Sequence, residues 1–289
     1  MSSQTRLLII SGLSGSGKSV ALHVLEDLGY YCIDNMPAAL IKSVVNEVMQ
    51  QEENPEVRVA VGVDARNRQS DLKALPSLID DLQREDVSTE LLFLQASDEI
   101  LLKRFSETRR RHPLAEHGIE LRQTIELERN LLGPVINSAD LIIDTTNTSV
   151  YELADIIRDR VDRSDGKSLS VLIESFGFKH GIPADADFVF DLRCLPNPYW
   201  EPSLRNKTGQ DSAVAEFLDR QPLFNQMYEN ILQFLSRWIP EYVSFDRSYL
   251  TVAIGCTGGQ HRSVYMAEKL AESLKQIHDP VLTRHNELP

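Results

Sequence analysis

The sequence contains little cysteine and no long hydrophobic run. Its cysteines, Cys32, Cys194 and Cys256, are odd in number and far apart, which argues against a disulfide framework or a zinc cluster. No apolar stretch approaches the length that crosses a bilayer, and residues 1–5 are too short and polar for a signal peptide. We therefore expect a cytoplasmic protein with no membrane partner.

Basic residues are also in short supply. The chain has 30 Lys and Arg against 43 Asp and Glu, which gives a net charge of -13. This balance excludes a surface that coats nucleic acid as a whole, although a few clustered arginines can still form a local basic patch. A hydrophobic content of 42% is typical of a globular protein, and 289 residues are enough for two domains.

The strongest motif lies near the N-terminus. It consists of Gly12, Leu13, Ser14, Gly15, Ser16, Gly17, Lys18 and Ser19, which fit the pattern G-x-x-x-x-G-K-[ST]. A buried strand is predicted before the motif, over residues 6–11, and an amphipathic helix after it, over residues 19–28. Glycines let the backbone curl so that successive N–H groups point at one anion, and the helix N-terminus adds partial positive charge.

The two polar side chains that end this motif have distinct expected roles. Lys18 reaches the β- and γ-phosphates of a bound nucleotide, and the Ser19 hydroxyl is a ligand for Mg²⁺. We therefore expect the segment to bind a nucleoside triphosphate, with Lys18 as a catalytic residue.

A second acidic group for Mg²⁺ is expected after the strand predicted over residues 57–63. P-loop enzymes place this carboxylate at the carboxyl edge of the sheet, and Asp64 stands in that position. Asp64 is therefore a candidate metal ligand and catalytic residue. A turn or cap aspartate would give the same pattern, and Asp34 is a rival for the role.

Arginines cluster after the fourth predicted strand. A helix predicted from residue 98 runs into a segment that contains Arg104, Arg109, Arg110 and Arg111. Small-molecule kinases close such arginines over phosphates, so the segment is a candidate lid. A solvated helix face would give the same charge pattern.

Strands and helices alternate along residues 1–162. This alternation predicts a P-loop, kinase-like domain with a doubly wound parallel sheet. The polar residues 163–168 are the predicted linker. Residues 169–289 are predicted to form a second α/β domain, with strands at 169–174, 188–191 and 249–254 and helices at 214–218, 223–238 and 264–274.

A second glycine-rich loop, residues 255–263, joins a predicted strand to a predicted helix in this domain. Its N–H groups can converge on an anion, and Arg262 can donate a pair of hydrogen bonds to a phosphate or carboxylate. Cys256 and Arg262 also have the spacing of cysteine-dependent phosphatases, although a buried, inert cysteine is the commoner case. The residues that follow other strand ends and could complete this pocket are Lys179, His180, Asp191 and Arg193.

Over essentially the whole chain, the motifs resemble those of the RapZ/YvcJ family of P-loop nucleotide-binding proteins. The segments that carry the resemblance are residues 11–19, 31–35, 106–110, 174–181, 193–198 and 255–263. The P-loop alone is generic, but the Phe-Gly stretch at 176–178 and the Cys-Thr-Gly stretch at 256–258 make the resemblance specific.

The resemblance implies ATP at residues 12–19, weak ATPase and GTPase activity, a homo-oligomer, and an adaptor that delivers small RNA to an endoribonuclease. It implies a GTP contact at Asp64, Ala65, Arg66 and Asn67. It also implies an amino-sugar phosphate held by Asp191, Thr257, Gly258 and Arg262. The RNA-binding members carry a basic tail, whereas residues 277–289 here contain few cations. Any RNA contacts would then come from Lys179, Arg205, Lys207, Lys269, Lys275 and Arg284.

Three functions follow from these patterns. The first, which we favour, is a regulatory nucleotide-binding protein whose C-terminal domain senses a phosphorylated metabolite and engages RNA or a regulatory protein. The second is a small-molecule kinase, for which Asp34 could serve as the base. The third is a phosphatase that uses Cys256.

Overall fold

The computed structural model describes residues 5–51, 58–85, 87–108, 111–115, 119–162, 169–245 and 247–288. The chain divides into two compact units, Met1–Gly166 and Lys167–Pro289. The predicted linker, residues 163–168, lies outside the described residues. Each unit has its own parallel sheet.

The N-terminal unit alternates strands with helices. Its strands are β1 (Arg6–Gly12), β2 (Tyr31–Ile33), β3 (Arg58–Gly62), β4 (Ser88–Gln95) and β5 (Leu141–Asp144). Its helices are α1 (Lys18–Asp27), α2 (Ile41–Gln51), α3 (Gln69–Arg84), α4 (Asp98–Thr108), α5 (Leu121–Leu131), α6 (Gly133–Ile136) and α7 (Val150–Ile157). Over the described residues the strands pair in parallel in the order β2-β3-β1-β4-β5.

Helices cover both faces of this sheet. Leu7 and Ile9 of β1 belong to a core that includes side chains of α2, α3 and α5. Leu8 and Ile10 point to the opposite face, because side chains alternate along a strand, and α1 packs against β1 and α7. The predicted doubly wound parallel sheet is therefore confirmed. Loops at the carboxyl ends of its strands meet at one edge, where such folds place their sites.

The C-terminal unit is built in the same way. Its strands are β6 (Ser170–Gly177), β7 (Phe188–Asp191), β8 (Tyr249–Cys256) and β9 (Val281–His285), and its helices are α8 (Ser212–Asp219), α9 (Pro222–Ser244) and α10 (Arg262–Leu274). In the described part of this unit the strand order is β7-β8-β6-β9, and all pairs are parallel. The second α/β domain predicted from the sequence is confirmed.

The strand β9 is not predicted from the sequence. It lies beside β6, and only Val281 among its five residues is buried. Two of its polar residues have partners on β6: Arg284 donates to Glu174 at 2.6 Å, and the Ser175 hydroxyl lies 2.8 Å from Nδ1 of His285. Because β9 is stabilised by partners that are distant in the sequence and has one buried apolar residue, its own hydrophobic pattern is too weak to predict a strand.

Candidate functional site

The predicted phosphate loop follows β1 and leads into α1. Its glycines have backbone angles that favour glycine, with φ of 146° at Gly12, 86° at Gly15 and 109° at Gly17. A Cβ atom at Gly12 would collide with the backbone of Leu94 in β4, and one at Gly17 would lie 2.6 Å from the Leu153 side chain. The loop is therefore curled tightly against the sheet, in a shape that only glycine permits.

Lys18 is folded over this loop. Its ammonium donates to the carbonyl oxygens of Gly12 at 2.6 Å and of Leu13 at 3.3 Å. Burial lowers the pKa of Lys18 below its usual value, whereas the carboxylates of Glu128, Asp64 and Asp34 act in the opposite direction. The carboxylates thus favour the charged form of Lys18, but burial has the larger effect on its pKa.

The loop fits a nucleotide phosphate. Gly15 and Ser19 are exposed, so the loop backbone and the candidate Mg²⁺ hydroxyl are accessible to a ligand. The hydroxyl of Ser16, in contrast, is fully buried and has no hydrogen-bond partner among the described residues. Within those residues no group of three or more His, Cys, Asp or Glu side chains could hold a metal ion.

Asp64 lies two residues beyond β3 and is buried. Arg66 donates to both of its carboxylate oxygens, with Nε 2.9 Å from Oδ2, and the Arg66 N–H donates to Oδ1 at 2.9 Å. Burial raises the pKa of Asp64, but the Arg66 hydrogen bonds and the Lys18 charge outweigh it and hold the pKa below its usual range. Asp64 is thus ionised but already paired, and it would bind Mg²⁺ only after Arg66 moves.

The other residues of the predicted GTP contact fix the backbone around Asp64. Asn67 accepts a hydrogen bond from the Ala38 N–H at 2.7 Å and donates to the Met36 carbonyl at 3.2 Å. Ala65 is buried, whereas the Arg66 side chain is half exposed. The segment therefore ties the loop after β2 to the loop after β3.

Asp34, the rival acidic group, is more accessible. It is exposed at the end of β2, and its Oδ1 accepts the Asn35 N–H at 2.7 Å. A Cβ atom at Gly62 of β3 would lie 2.7 Å from this oxygen, which places Asp34 beside the carboxyl end of β3. Two carboxylates, one paired and one exposed, are thus present near Lys18.

Of the candidate lid arginines, Arg104 contacts the phosphate loop directly. It donates to the Gly15 carbonyl and to the Thr145 hydroxyl, each at 3.0 Å, and to the Thr145 carbonyl at 2.6 Å. Thr145 in turn donates to the Ser16 carbonyl at 2.9 Å. Arg111 is exposed and donates to the Ala115 carbonyl, while Arg109 and Arg110 lie outside the described residues.

A carboxylate that the sequence analysis did not identify also touches the loop. Glu128 of α5 is fully buried, and it accepts the Ser14 N–H at 2.9 Å and the Ser14 hydroxyl at 2.6 Å. His112 Nε2 lies 3.1 Å from the same carboxylate. Burial raises the pKa of Glu128, but these hydrogen bonds and the charge of Lys18 hold it below its usual value.

A signal for Glu128 exists in the sequence. Helix α5 buries Ile125 and, one turn on, Glu128, with Leu132 buried just after the helix end. An acidic residue on the apolar side of an amphipathic helix needs buried partners, so this position marks a polar site inside the fold.

In the C-terminal unit, the predicted anion loop follows β8 and leads into α10. Cys256 is buried; its Sγ lies 3.1 Å from the Ser263 hydroxyl and accepts the Gly259 N–H at 3.3 Å. Burial raises the pKa of this thiol, but the hydrogen bonds from Ser263 and Gly259 and the Arg262 charge lower it below the usual value overall.

Arg262, at the point where this loop enters α10, is buried. Its Nη1 donates to the carbonyls of Leu195 at 2.8 Å and of Leu192 and Arg193 at 3.3 Å, and its Nη2 lies 3.5 Å from the Thr257 hydroxyl. Its Nε has no partner among the described residues. The guanidinium therefore links the loop to the segment after β7, and its Nε–H is left without an acceptor in the described part of the chain.

Asp191 and Arg193 form an ion pair at the end of β7. Arg193 donates to both carboxylate oxygens, with Nη2 2.7 Å from Oδ2, and its guanidinium stacks on the Phe178 ring at 3.8 Å. Arg193 lowers the pKa of Asp191. Gly258 has open space around its Cα, and Thr257 is exposed.

The tail contributes an acidic group to the same region. A Cβ atom at Gly259 would collide with the Glu287 carboxylate, so the two residues are in contact. Burial raises the pKa of Glu287. The hydrogen bond from the Gly177 N–H and the charges of His180 and Lys179 lower it by less. The predicted pocket residues Lys179 and His180 thus lie close enough to this carboxylate to affect it.

Two of the candidate RNA contacts have acidic partners. Lys269 donates to Asp219 at 2.6 Å. Arg284 donates to the buried Glu174, and its side chain is only 29% exposed. These two cations are therefore already neutralised within the protein.

Comparison with known proteins adds family information. Residues 5–165 match the family model of the RapZ-like N-terminal domain, and residues 169–289 match that of the RapZ C-terminal domain. A nucleotide-binding protein of Halorhodospira halophila is 53% identical over 98% of this chain and 98% of its own length. A nucleotide-binding protein of Thioalkalivibrio sulfidiphilus is 50% identical over 98% of this chain and 99% of its own length.

Two shikimate kinases are among the solved structures that match part of the chain. Shikimate kinase from Acinetobacter baumannii in complex with shikimate has 18% sequence identity and a TM-score of 0.33, over 54% of this chain and 92% of that one. Shikimate kinase from Bacteroides thetaiotaomicron has 14% identity and a TM-score of 0.34, over 53% and 94%. In the described parts of the chain, no helix is both long and apolar enough to cross a membrane.

Proposed function

The chain belongs to the RapZ family of nucleotide-binding proteins, and from this we propose that it is a regulatory protein which binds ATP and GTP with Mg²⁺ and hydrolyses them slowly. In this proposal the C-terminal unit senses an amino-sugar phosphate and passes the signal to a small RNA or a regulatory protein. The protein acts in the cytoplasm as a homo-oligomer.

The observation that carries the nucleotide part of the proposal is the loop of residues 12–19. Its glycine geometry exposes backbone at Gly15, and Lys18 lies over it. Burial lowers the pKa of Lys18, but three carboxylates act against burial and favour the charged form that a phosphate-binding lysine needs. In the chemistry proposed, Mg²⁺ would neutralise phosphate charge, with Ser19 and Asp64 as the protein groups that would hold it.

The metabolite part rests on the loop of residues 255–263. Arg262 retains a buried, unused donor, and Thr257 and Gly258 are open to a ligand. Asp191 supplies an exposed carboxylate that could accept hydrogen bonds from the amine or hydroxyl groups of a sugar. An amino-sugar phosphate offers both the anion and the donors for such a site.

Two other functions keep specific support. A small-molecule kinase would use the exposed Asp34 near Lys18 as its base. A phosphatase would use Cys256, whose thiol accepts the Gly259 N–H and lies beside Arg262. The regulator is favoured because the family match covers both units.

The experiment is a titration of the full-length protein with MgATP and MgGTP, followed by turnover with and without a hexosamine phosphate. Nucleotide binding with slow hydrolysis, and no chemical change of the sugar phosphate, supports the regulator. A phosphorylated product of the sugar identifies a kinase. Release of phosphate from the sugar that Cys256→Ser abolishes, with ATP binding intact, identifies a phosphatase.

A further inference from the structure

Glu128 joins two segments that are far apart in the sequence. It takes both hydrogen-bond donors of Ser14, the backbone N–H and the hydroxyl, and Ser14 is the third residue of the phosphate loop. Its Oε2 also lies 3.1 Å from His112 Nε2. The Ser14 N–H therefore already has an acceptor, and the Ser16 N–H donates to the Leu13 carbonyl at 3.0 Å, so a nucleotide phosphate would use other N–H groups of the loop.

The hydrogen bonds of His112 identify its tautomer. The Leu114 N–H donates to Nδ1 at 3.1 Å, so Nδ1 is an acceptor. The ring proton then resides on Nε2 and is donated to Glu128. All three groups around the carboxylate are therefore donors, which is what a buried, ionised glutamate requires.

His112 also belongs to the turn that follows the candidate lid arginines. The Ala115 N–H donates to the His112 carbonyl at 2.9 Å, and the imidazole packs on Phe105 of α4, with ring centroids 5.1 Å apart. Phe105 itself lies under Gly15, 3.6 Å from the position that a Cβ would take. One small network thus connects the loop, α4 and the turn at 112–115.

We propose that Glu128 is a positioning residue of the nucleotide site, which holds Ser14 in the conformation that binds triphosphate and connects the loop to the turn at 112–115 through His112. The inference rests on the proposed function. A core residue with a merely structural role would affect folding but would leave the affinity of the folded protein unchanged.

The test compares MgATP binding by the full-length wild type, Glu128→Ala and Glu128→Gln. Alanine leaves three buried donors without an acceptor, so we expect at least about a tenfold weaker MgATP affinity per folded molecule. Glutamine can accept at one oxygen from Ser14 N–H and His112 and can donate to the Ser14 hydroxyl, so its affinity should stay within about threefold of wild type. The folded fraction is measured by circular dichroism in the same samples.

Glu126→Ala is the matched control, since Glu126 is an exposed glutamate of the same helix. It should bind MgATP like the wild type. If folded Glu128→Ala also binds like the wild type, the positioning role is overturned. If the wild type itself binds neither MgATP nor MgGTP, the proposed function fails instead.

The His112 link has its own pair of variants. His112→Gln can place an N–H near the position of Nε2 and so keep the bond to Glu128, whereas His112→Asn can place an oxygen near Nδ1 and keep only the bond from Leu114. We expect His112→Gln to bind MgATP within about threefold of wild type and His112→Asn to bind at least about fivefold more weakly. Equal affinities for the two variants would overturn the link.

Discussion

Arg66 donates to both carboxylate oxygens of Asp64, the residue expected to serve as the second Mg²⁺ ligand. The same arrangement recurs in the C-terminal unit, where Arg193 donates to both oxygens of Asp191. In each case the arginine lies two residues after the aspartate, at the carboxyl end of a strand. The pairing favours the ionised form of each aspartate, and a ligand of either carboxylate would have to compete with an arginine.

The first prediction concerns Mg²⁺. Arg66→Ala should strengthen the dependence of ATP affinity on Mg²⁺, because Asp64 loses its competing cation. Asp64→Asn should remove most of that dependence, since an amide is a weaker Mg²⁺ ligand than a carboxylate. Calorimetric titrations of ATP with and without Mg²⁺ measure both effects.

Asp34→Asn is the companion variant for this measurement. If Asp34→Asn removes the Mg²⁺ dependence and Asp64→Asn leaves it intact, the exposed carboxylate at the end of β2 is the metal ligand. The assignment of Asp64 would then be wrong.

The second prediction concerns Lys18. Lys18→Ala should weaken ATP binding by at least about tenfold, because a charge-assisted contact to the phosphates is lost. Lys103→Ala is the control, since Lys103 is exposed and its ammonium lies 4.0 Å from the Glu107 carboxylate. Unchanged ATP affinity in Lys18→Ala, measured by calorimetry, would contradict the P-loop assignment.

The third prediction concerns Arg262. Arg262→Lys keeps a positive charge but cannot reproduce the planar donor set, so we expect at least about tenfold weaker binding of a hexosamine phosphate. ATP affinity should be unchanged. Arg205 is an exposed arginine that donates to the Tyr199 carbonyl, and the control variant Arg205→Ala should bind the sugar phosphate normally. Normal sugar binding by folded Arg262→Lys would refute the proposed site.

The fourth prediction concerns the ion pair of Glu174 and Arg284. Arg284→Met leaves a fully buried carboxylate without its cation and should lower the free energy of unfolding by about 3 kcal/mol. Adding Glu174→Gln should recover part of the loss. Urea denaturation followed by circular dichroism measures both, and a stability equal to wild type in Arg284→Met would show that the pair contributes nothing.

The fifth prediction concerns acid. Because the pKa of Glu128 is lower in the folded protein than in the unfolded chain, its ionised form stabilises the fold above about pH 4.3, and this contribution is lost as the pH falls further. Glu128→Gln should therefore lose less stability than the wild type between pH 5 and the acid transition. Denaturant titrations across this range test the difference, and parallel curves would contradict it.

The features that could be predicted from the sequence are those that depend on neighbouring residues in the chain. Gly12 and Gly17 stand where a curled loop requires glycine, and the alternation of strands and helices led to the correct sheet class. Partners contributed from far along the chain were not predictable in this way. Nothing near Ser14 indicates that Glu128 will accept its hydrogen bonds, and nothing in residues 281–285 shows that Glu174 will pair with Arg284.

The contacts of the phosphate loop have a consequence for synthesis of the chain on the ribosome. Ser14 donates to Glu128, which lies 114 residues later in the chain. The Ser16 carbonyl accepts from Thr145, which lies 129 residues later. The strand and helix on either side of the loop are made early, but the loop lacks these partners until the end of β5 has emerged. The N-terminal unit must therefore be almost completely synthesised before its binding loop is held in place. We expect that added nucleotide does not stabilise a nascent chain that stops before Thr145.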